Sequence, residues 1–277
     1  MDQTGKMVRF DEMIQQYMPI LTIMISTLNE GIYKLQKMTG FIDERIAYLV
    51  VHQYTDDRLE IPDFLIREDI QVIQVRDKGL SKSRNIAFEQ CKTPYGLIAD
   101  DDLAYIDGSL LQVLDILETN TDLGFATFKI RTKDGEPDYK EYPDEKYKID
   151  PPQHWFTSSE ILVNVEQLRE KDISMDVRFG LGTLLERGEE DILVHDMIEK
   201  EMRGWFYPLF LYEVPFESSG RRKRKVLKEL FFRGAFNRRM GIPMGLHHWK
   251  SYIVSPFSLL KDVSKICGMY YIKWTNV

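Results

Sequence analysis

Two cysteines in 277 residues, Cys91 and Cys267, are too few for a disulfide framework, and a reducing cytoplasm is the setting they fit. No stretch reaches the roughly 20 apolar residues needed to span a bilayer. The longest late candidate, Tyr252 to Leu260, stops at Lys261 and Asp262. Residues 1–18 carry Asp2, Lys6, Arg9, Asp11 and Glu12 where a secretory signal needs an apolar centre, so none is expected. Positive charge is also in deficit. A net charge of -7 argues against a nucleic-acid partner, because neutralising phosphates needs a basic surface. Glycine-rich phosphate loops are missing too: neither GxGxxG nor GxxxxGK with a following Ser or Thr is found, so dinucleotide and P-loop folds are not supported.

What remains is an ordinary globular composition, 43% hydrophobic and 29% charged, in a chain long enough to bury a sizeable core. Its first part alternates strand and helix signals. Ile20 to Ile25 is a continuous β-branched and apolar run, as expected of a strand buried on both faces. A polar turn, Ser26 to Glu30, and a short helix over 31–41 follow. Ile46 to Val51, Ile70 to Val75 and Tyr95 to Ala99 read as further strands, Lys82 to Gln90 as a helix capped by Ser81, and Ser109 to Glu118 as another. This spacing predicts an α/β fold with a mostly parallel, Rossmann-like central sheet and flanking helices. Each strand then feeds a polar loop, so Thr27, Asn29, Asp56, Asp57 and the triplet Asp100, Asp101, Asp102 share one rim.

The triplet is the most informative feature. It ends the apolar run Leu97-Ile98-Ala99, follows a helix bearing Arg84, and has no cation beside it in sequence. Adjacent carboxylates raise each other's pKa unless something positive sits between them, and a hard divalent cation with oxygen ligands is the usual remedy.

Beyond residue 120 the pattern is less regular. Gly124 to Ile130 alternates like a strand, Arg131 to Asp150 is a charged excursion, and Ser159 to Leu168 mixes strand and helix signals. A Gly-rich loop, Arg178 to Thr183, precedes Glu189-Glu190-Asp191 at the start of a helix running to Met202. Acidic residues there also suit the helix dipole. Trp205 to Val214 is a strand, and the basic run Arg221 to Lys225 leads into a helix, Val226 to Phe236.

Four landmarks in order, LTIMISTLNE, GLSKSRNIAFE, IADDD and FGLGTLLERGEEDILV, resemble the family-2 glycosyltransferases with the GT-A fold, of the bacterial polysaccharide-assembly type. The resemblance covers about residues 18–220. It implies an N-terminal extension over 1–17, a catalytic domain over 18–220 (nucleotide-binding half 18–120, acceptor-binding half 121–220), and a basic, aromatic helical region over 221–277. The implied reaction is metal-dependent, inverting transfer of a sugar from a nucleotide-diphosphate sugar, a UDP-sugar first, to a hydroxyl of a saccharide or lipid-linked acceptor. Thr27, Asn29 and Asp56 or Asp57 are then expected around base and ribose, and Arg84 near the nucleotide. Asp102 with Asp100 would hold Mg²⁺ or Mn²⁺, and Asp101 lies between them. The catalytic base is expected at Glu190, with Asp191 second, because Leu193 then falls where the family pattern keeps an apolar residue. VVHQYTDD replaces the usual VDDGS-like signature, and His195 and His247-His248 offer no clear metal-completing histidine.

Arg221 to Lys225 would serve as a lid over the diphosphate or as a solvated or membrane-facing surface. Trp249, Tyr252, Phe257, Tyr270, Tyr271 and Trp274 beside lysines would touch the inner face of the membrane, the catalytic domain or a second subunit of a homodimer. Competing readings are a nucleotidyltransferase, which lacks its basic Gly-rich loop here, and a non-catalytic nucleotide-sugar-binding subunit.

Overall fold

The computed structural model describes residues 19–57, 59–150, 155–214, 216, 226–243 and 256–275. Nine strands among them form one sheet: β1 (Leu21–Leu28), β2 (Ile46–Gln53), β3 (Ile70–Val75), β4 (Tyr95–Asp100), β5 (Ala104–Tyr105), β6 (Phe125–Thr132), β7 (Tyr147–Lys148), β8 (Ile161–Asn164) and β9 (Gly204–Val214). Their order is β3-β2-β1-β4-β8-β6-β9-β5, with β7 added on β9. The helices are α1 (Leu80–Gln90), α2 (Ser109–Thr119), α3 (Val165–Glu170), α4 (Glu189–Glu199), α5 (Val226–Arg239) and α6 (Pro256–Trp274).

Strands β3, β2, β1 and β4 run parallel, as their apolar runs require when both faces are covered. One face packs the side chains of Ile23, Ile25, Val50 and Leu97 against α2; the other packs Met24, Leu49, Val51 and Ile98 against α1 and α4. Past β4 the sheet turns mixed: β8 is antiparallel to both β4 and β6, while β6 is parallel to β9. The mostly parallel expectation therefore holds for the first half of the chain.

Parallel register aligns the functional rim. Ser26 stands opposite Asp100 and Thr27 opposite His52. Strand β1 runs three residues beyond Ile25: Ser26 and Thr27 are buried, Ser26 is paired with both Val51 and Asp100, and Thr27 is paired with His52. Several local expectations are corrected. The segment after β1 is a six-residue 3-10 helix, Asn29–Lys34, rather than a helix over 31–41. Asn29 enters it at φ 50°, a left-handed conformation that asparagine tolerates. Gly79, not Ser81, stands at the N-cap of α1; Ser81 lies within the helix and its hydroxyl donates to the Phe179 carbonyl at 2.6 Å. Helix α4 stops at Glu199.

The C-terminal helices are part of the same body. Helices α5 and α6 cross where Gly234 faces the Lys265 backbone and Gly268 faces that of Phe231, contacts too close for any Cβ. Phe231 meets Tyr271 with ring centroids 5.8 Å apart, and Arg178 donates to the Ile272 carbonyl at 3.1 Å. Of the aromatic residues expected to contact membrane, domain or subunit, Tyr271 thus faces the domain, while Tyr270 is exposed. Trp249 and Tyr252, the side chains of Phe257 and Trp274, the run Arg221 to Lys225 and His247-His248 lie outside the described residues. Among the described residues no helix is long and apolar enough to cross a membrane.

Candidate active site

At the carboxyl edge of β4 the three aspartates part company. Asp100, still in the strand, accepts from Arg84 Nη2 at 3.1 Å and from the Ser158 hydroxyl at 3.3 Å. Asp101 turns back under β1, where Thr27 Oγ1 donates to it at 2.5 Å. Asp102 stands on the wall of a cleft of about 1220 Å³. Burial raises the pKa of Asp101, opposed by Thr27 and reinforced by Asp100. The cleft walls raise Asp102 as well, and Asp100 and Asp101 add to it.

The expectation of a triplet without a cation is corrected. Arg84 is almost wholly buried, and its guanidinium spans from Asp100 to the start of α4, where Nη1 lies 3.4 Å from Glu190 Oε1 and 3.5 Å from Glu189 Oε1. Burial works against its charge, but Asp100, Glu190 and Glu189 outweigh it and the pKa rises. Glu189, the first acid of the Glu189-Glu190-Asp191 run, is sealed against solvent; burial and Glu190 push it to about 8 against the pull of Arg84.

Asp191 completes the opposite wall. Its Oδ1 accepts from the Phe156 backbone at 3.2 Å, and burial lifts its carboxyl to about 6. The cleft thus has Asp100 and Asp102 on one side and Glu190 and Asp191 on the other, with Arg84 between them. Thr27, Asn29, Asp56 and Asp101 are not among its walls. They form a neighbouring rim, where Asn29 Oδ1 accepts from the Thr55 backbone at 3.0 Å, the Asn29 carbonyl meets His52 Nε2 at 2.9 Å, and exposed Asp56 accepts from the Thr55 hydroxyl at 3.3 Å. Asp57 is exposed in the same loop.

Residues 26–187, more than half of the chain, match the family described as glycosyl transferase family 2. The chain is a family-2 glycosyltransferase. The fold of this transferase is similar to S. aureus TarS 1–349 at a TM-score of 0.60 and 13% identity, over 92% of this chain and 73% of that one. It is likewise similar to TarS 1–349 in complex with UDP-GlcNAc, at 0.60 and 14%, over 81% and 68%. Against the longer TarS structure the TM-score is 0.55 at 14% identity, and the match spans 44% of that chain. At such identities the likeness speaks for the fold, which is GT-A. No curated protein matches the chain in sequence.

The transferase has one stretch that sequence reasoning passed over. Trp155 to Ser159 lines the cleft and ties its two sides together: Phe156 holds Asp191 and Ser158 holds Asp100. Glu160 anchors this stretch from beneath. Fully buried, it accepts from Lys140 Nζ at 2.7 Å, from the Thr157 backbone at 3.1 Å and from the Tyr142 hydroxyl. Burial raises Glu160 and lowers Lys140, each against the pull of the other. The Lys140 and Glu160 signals lie 20 residues apart in an aperiodic, charged segment, and nothing in the local pattern pairs them.

No group of three His, Cys, Asp or Glu side chains converges with metal-binding geometry among the described residues. The donor set nevertheless suits a hard cation. Magnesium is commonly held by one or two carboxylates and completed by substrate phosphate and water. Asp102, raised by burial and then by Asp100 and Asp101, has the chemistry such a site needs.

Gly31 tests the Thr27–Asp101 contact. A Cβ there would collide with Thr27 Oγ1 and the Asp101 carboxylate. Thr27 is buried and stiff at χ1, so it cannot swing away cheaply. Gly31→Ala is expected to cost about 1–3 kcal/mol in denaturant unfolding. A change below about 0.5 kcal/mol would show that the contact yields freely.

Proposed function

We propose that this transferase moves a sugar from a UDP-sugar to a hydroxyl of a saccharide or lipid-linked acceptor, with inversion, and that Mg²⁺ or Mn²⁺ assists. The observation that carries this reading is the division of one cleft into two carboxylate sets with Arg84 between them. On one side, Asp102 with Asp100 would hold the cation, which when bound neutralises charge developing on the leaving diphosphate. TarS, similar in fold, is seen with UDP-GlcNAc, which favours uridine as the base. Asn29, Thr27 and Asp56 form the rim to receive base and ribose, with Asp101 buttressing Thr27 from behind.

The other side supplies the base. An acceptor hydroxyl is too weak an acid to attack unaided, so a carboxylate must take its proton as C1 is attacked. Of the two candidates, Asp191 suits this role better than Glu190. Glu190 is already engaged by Arg84 at 3.4 Å, whereas Asp191 accepts from one backbone N–H and is poised near neutrality by burial. A single displacement by a hydroxyl on the face opposite the diphosphate inverts the anomeric centre.

Basic groups for the diphosphate are scarce within the described cleft. Arg187 and Arg233 line it, and both pair with Glu229, at 2.5 Å and 3.4 Å. The Arg221 to Lys225 run precedes α5 in sequence, and Phe232 and Phe236 of that helix form a wall of the same cleft.

Thermal shift with UDP-, GDP-, CMP- and dTDP-sugars, each with and without Mn²⁺, checks the donor. The expected result is a manganese-dependent rise with a UDP-sugar that disappears in Asp102→Ala. At ligand concentrations of about 100 times Kd, the gain corresponds to about 2.7 kcal/mol. A UDP-sugar shift unaffected by both metal and Asp102→Ala would discard the cation site.

A further inference from the structure

Facing the base across a short stretch of chain is a pair of aromatic rings that the donor chemistry does not use. Trp155 and Tyr139 both line the cleft, with ring centroids 6.0 Å apart and planes inclined at 44°, so together they form a shallow V. Trp155 is 52% exposed, the largest open apolar surface on the cleft wall. An indole left this open in a cleft forfeits much burial energy, and a ligand that covers it recovers that energy.

The ring is also held in place. Lys140 Nζ donates to the Trp155 carbonyl at 2.5 Å and lies 4.3 Å from the ring centroid, while its charge is matched by buried Glu160. The neighbouring residue, Phe156, is the one whose N–H binds Asp191. Any group resting on Trp155 is therefore registered to that carboxylate by a single residue of backbone.

We propose that Trp155 and Tyr139 form a stacking platform for a pyranose ring of the acceptor, placing one of its hydroxyls at Asp191. This deepens the transferase reading and rests on it. The chemistry selects a neutral saccharide ring. Its axial C–H face is apolar and matches an aromatic surface, and Lys140, the cation set against the Trp155 ring, is already neutralised by Glu160.

The test uses saturation-transfer NMR on the full chain with UDP present, with methyl β-D-glucopyranoside as the ring probe and sorbitol as a ringless polyol. Ring protons of the glucoside are expected to saturate strongly and sorbitol weakly. Trp155→Ala should weaken glucoside binding by roughly three- to tenfold, and Trp155→Phe should restore most of it. Tyr139→Ala, at the second arm of the V, should produce a smaller loss. Equal saturation of glucoside and sorbitol, or a glucoside signal indifferent to Trp155→Ala, would overturn the platform. Failure of UDP itself to bind would count against the donor reading, while the ring signal would still decide the platform.

Discussion

Asp191→Asn is expected to lower kcat/KM for transfer by at least about a hundredfold while leaving the protein folded and slightly more stable at neutral pH. The two halves of this result have one cause. Burial lifts the Asp191 carboxyl from its ordinary value near 3.8 to about 6, with Glu190 adding to the shift and the Phe156 N–H and Lys140 opposing it. The folded chain therefore holds this proton more tightly than the unfolded chain does. Above pH 6 the folded state carries an ionised carboxylate that burial disfavours, and this penalty fades as pH falls toward the unfolded value. An amide carries no such penalty, so Asp191→Asn should raise Tm at pH 7.5 by about 2–4 °C and lose that advantage near pH 4.

Activity should follow the opposite sign. A base must be unprotonated to accept the acceptor's proton, so kcat/KM of the wild type should fall as pH drops through about 6. Glu190→Gln is the comparison. Glu190 is the neighbour of Arg84, and its loss should disturb that contact with a smaller effect on the proton-transfer step. If Glu190→Gln proves the inactive variant and Asp191→Asn retains its rate, the roles are reversed and the base is Glu190.

The parallel half of the fold was legible because its strands are short runs rich in apolar and β-branched residues, separated by helices. Alternation with helices then placed Asp100–Asp102 at a strand's carboxyl end without further information. Helix boundaries were less so. Ser81 has the side chain of a cap, yet its hydroxyl is drawn to Phe179, nearly a hundred residues away, which no local rule can anticipate. The 3-10 helix after β1 arises because Thr27 must meet Asp101 beside Gly31, a tertiary constraint that overrides the helical signal of residues 31–41. The Trp155 wall shows the same limit more fully. Lys140, Tyr142 and Glu160 form a buried polar cluster from segments with no periodicity, so their partnership exists only in space. Residue types at the site could be nominated from sequence; which carboxylate is paired, buried or protonated depends on neighbours distant in the chain.

Arg84 shows what that dependence is worth. Arg84→Met is expected to destabilise the fold by about 3–5 kcal/mol, a drop in Tm on the order of 10 °C, and to abolish transfer. Methionine fills much of the same volume, so lost packing is not the main effect. The damage is electrostatic: Asp100, Glu189 and Glu190 would face one another around a site from which solvent is largely excluded. Acids crowded together without a cation take up protons instead of remaining ionised, and Glu189, already raised, would climb further. Raised folded pKa values make the penalty greatest at high pH and remove it as pH falls, so the stability gap between Arg84→Met and wild type should narrow steadily from pH 8 to pH 5. A cavity or packing defect would leave that gap constant. Arg84→Lys keeps the charge but offers one ammonium where a planar fork now reaches Asp100 with one nitrogen and the glutamates with the other, so it should restore part of the stability. Adding Glu189→Gln to Arg84→Met removes one of the stranded acids and should recover stability beyond the sum of the two single effects, a coupling that a double-mutant cycle reads directly. With the bridge gone, Asp100 and Glu190 repel across the cleft and the distance between cation side and base side is no longer held, which is why activity should be lost even at a pH where the variant is folded.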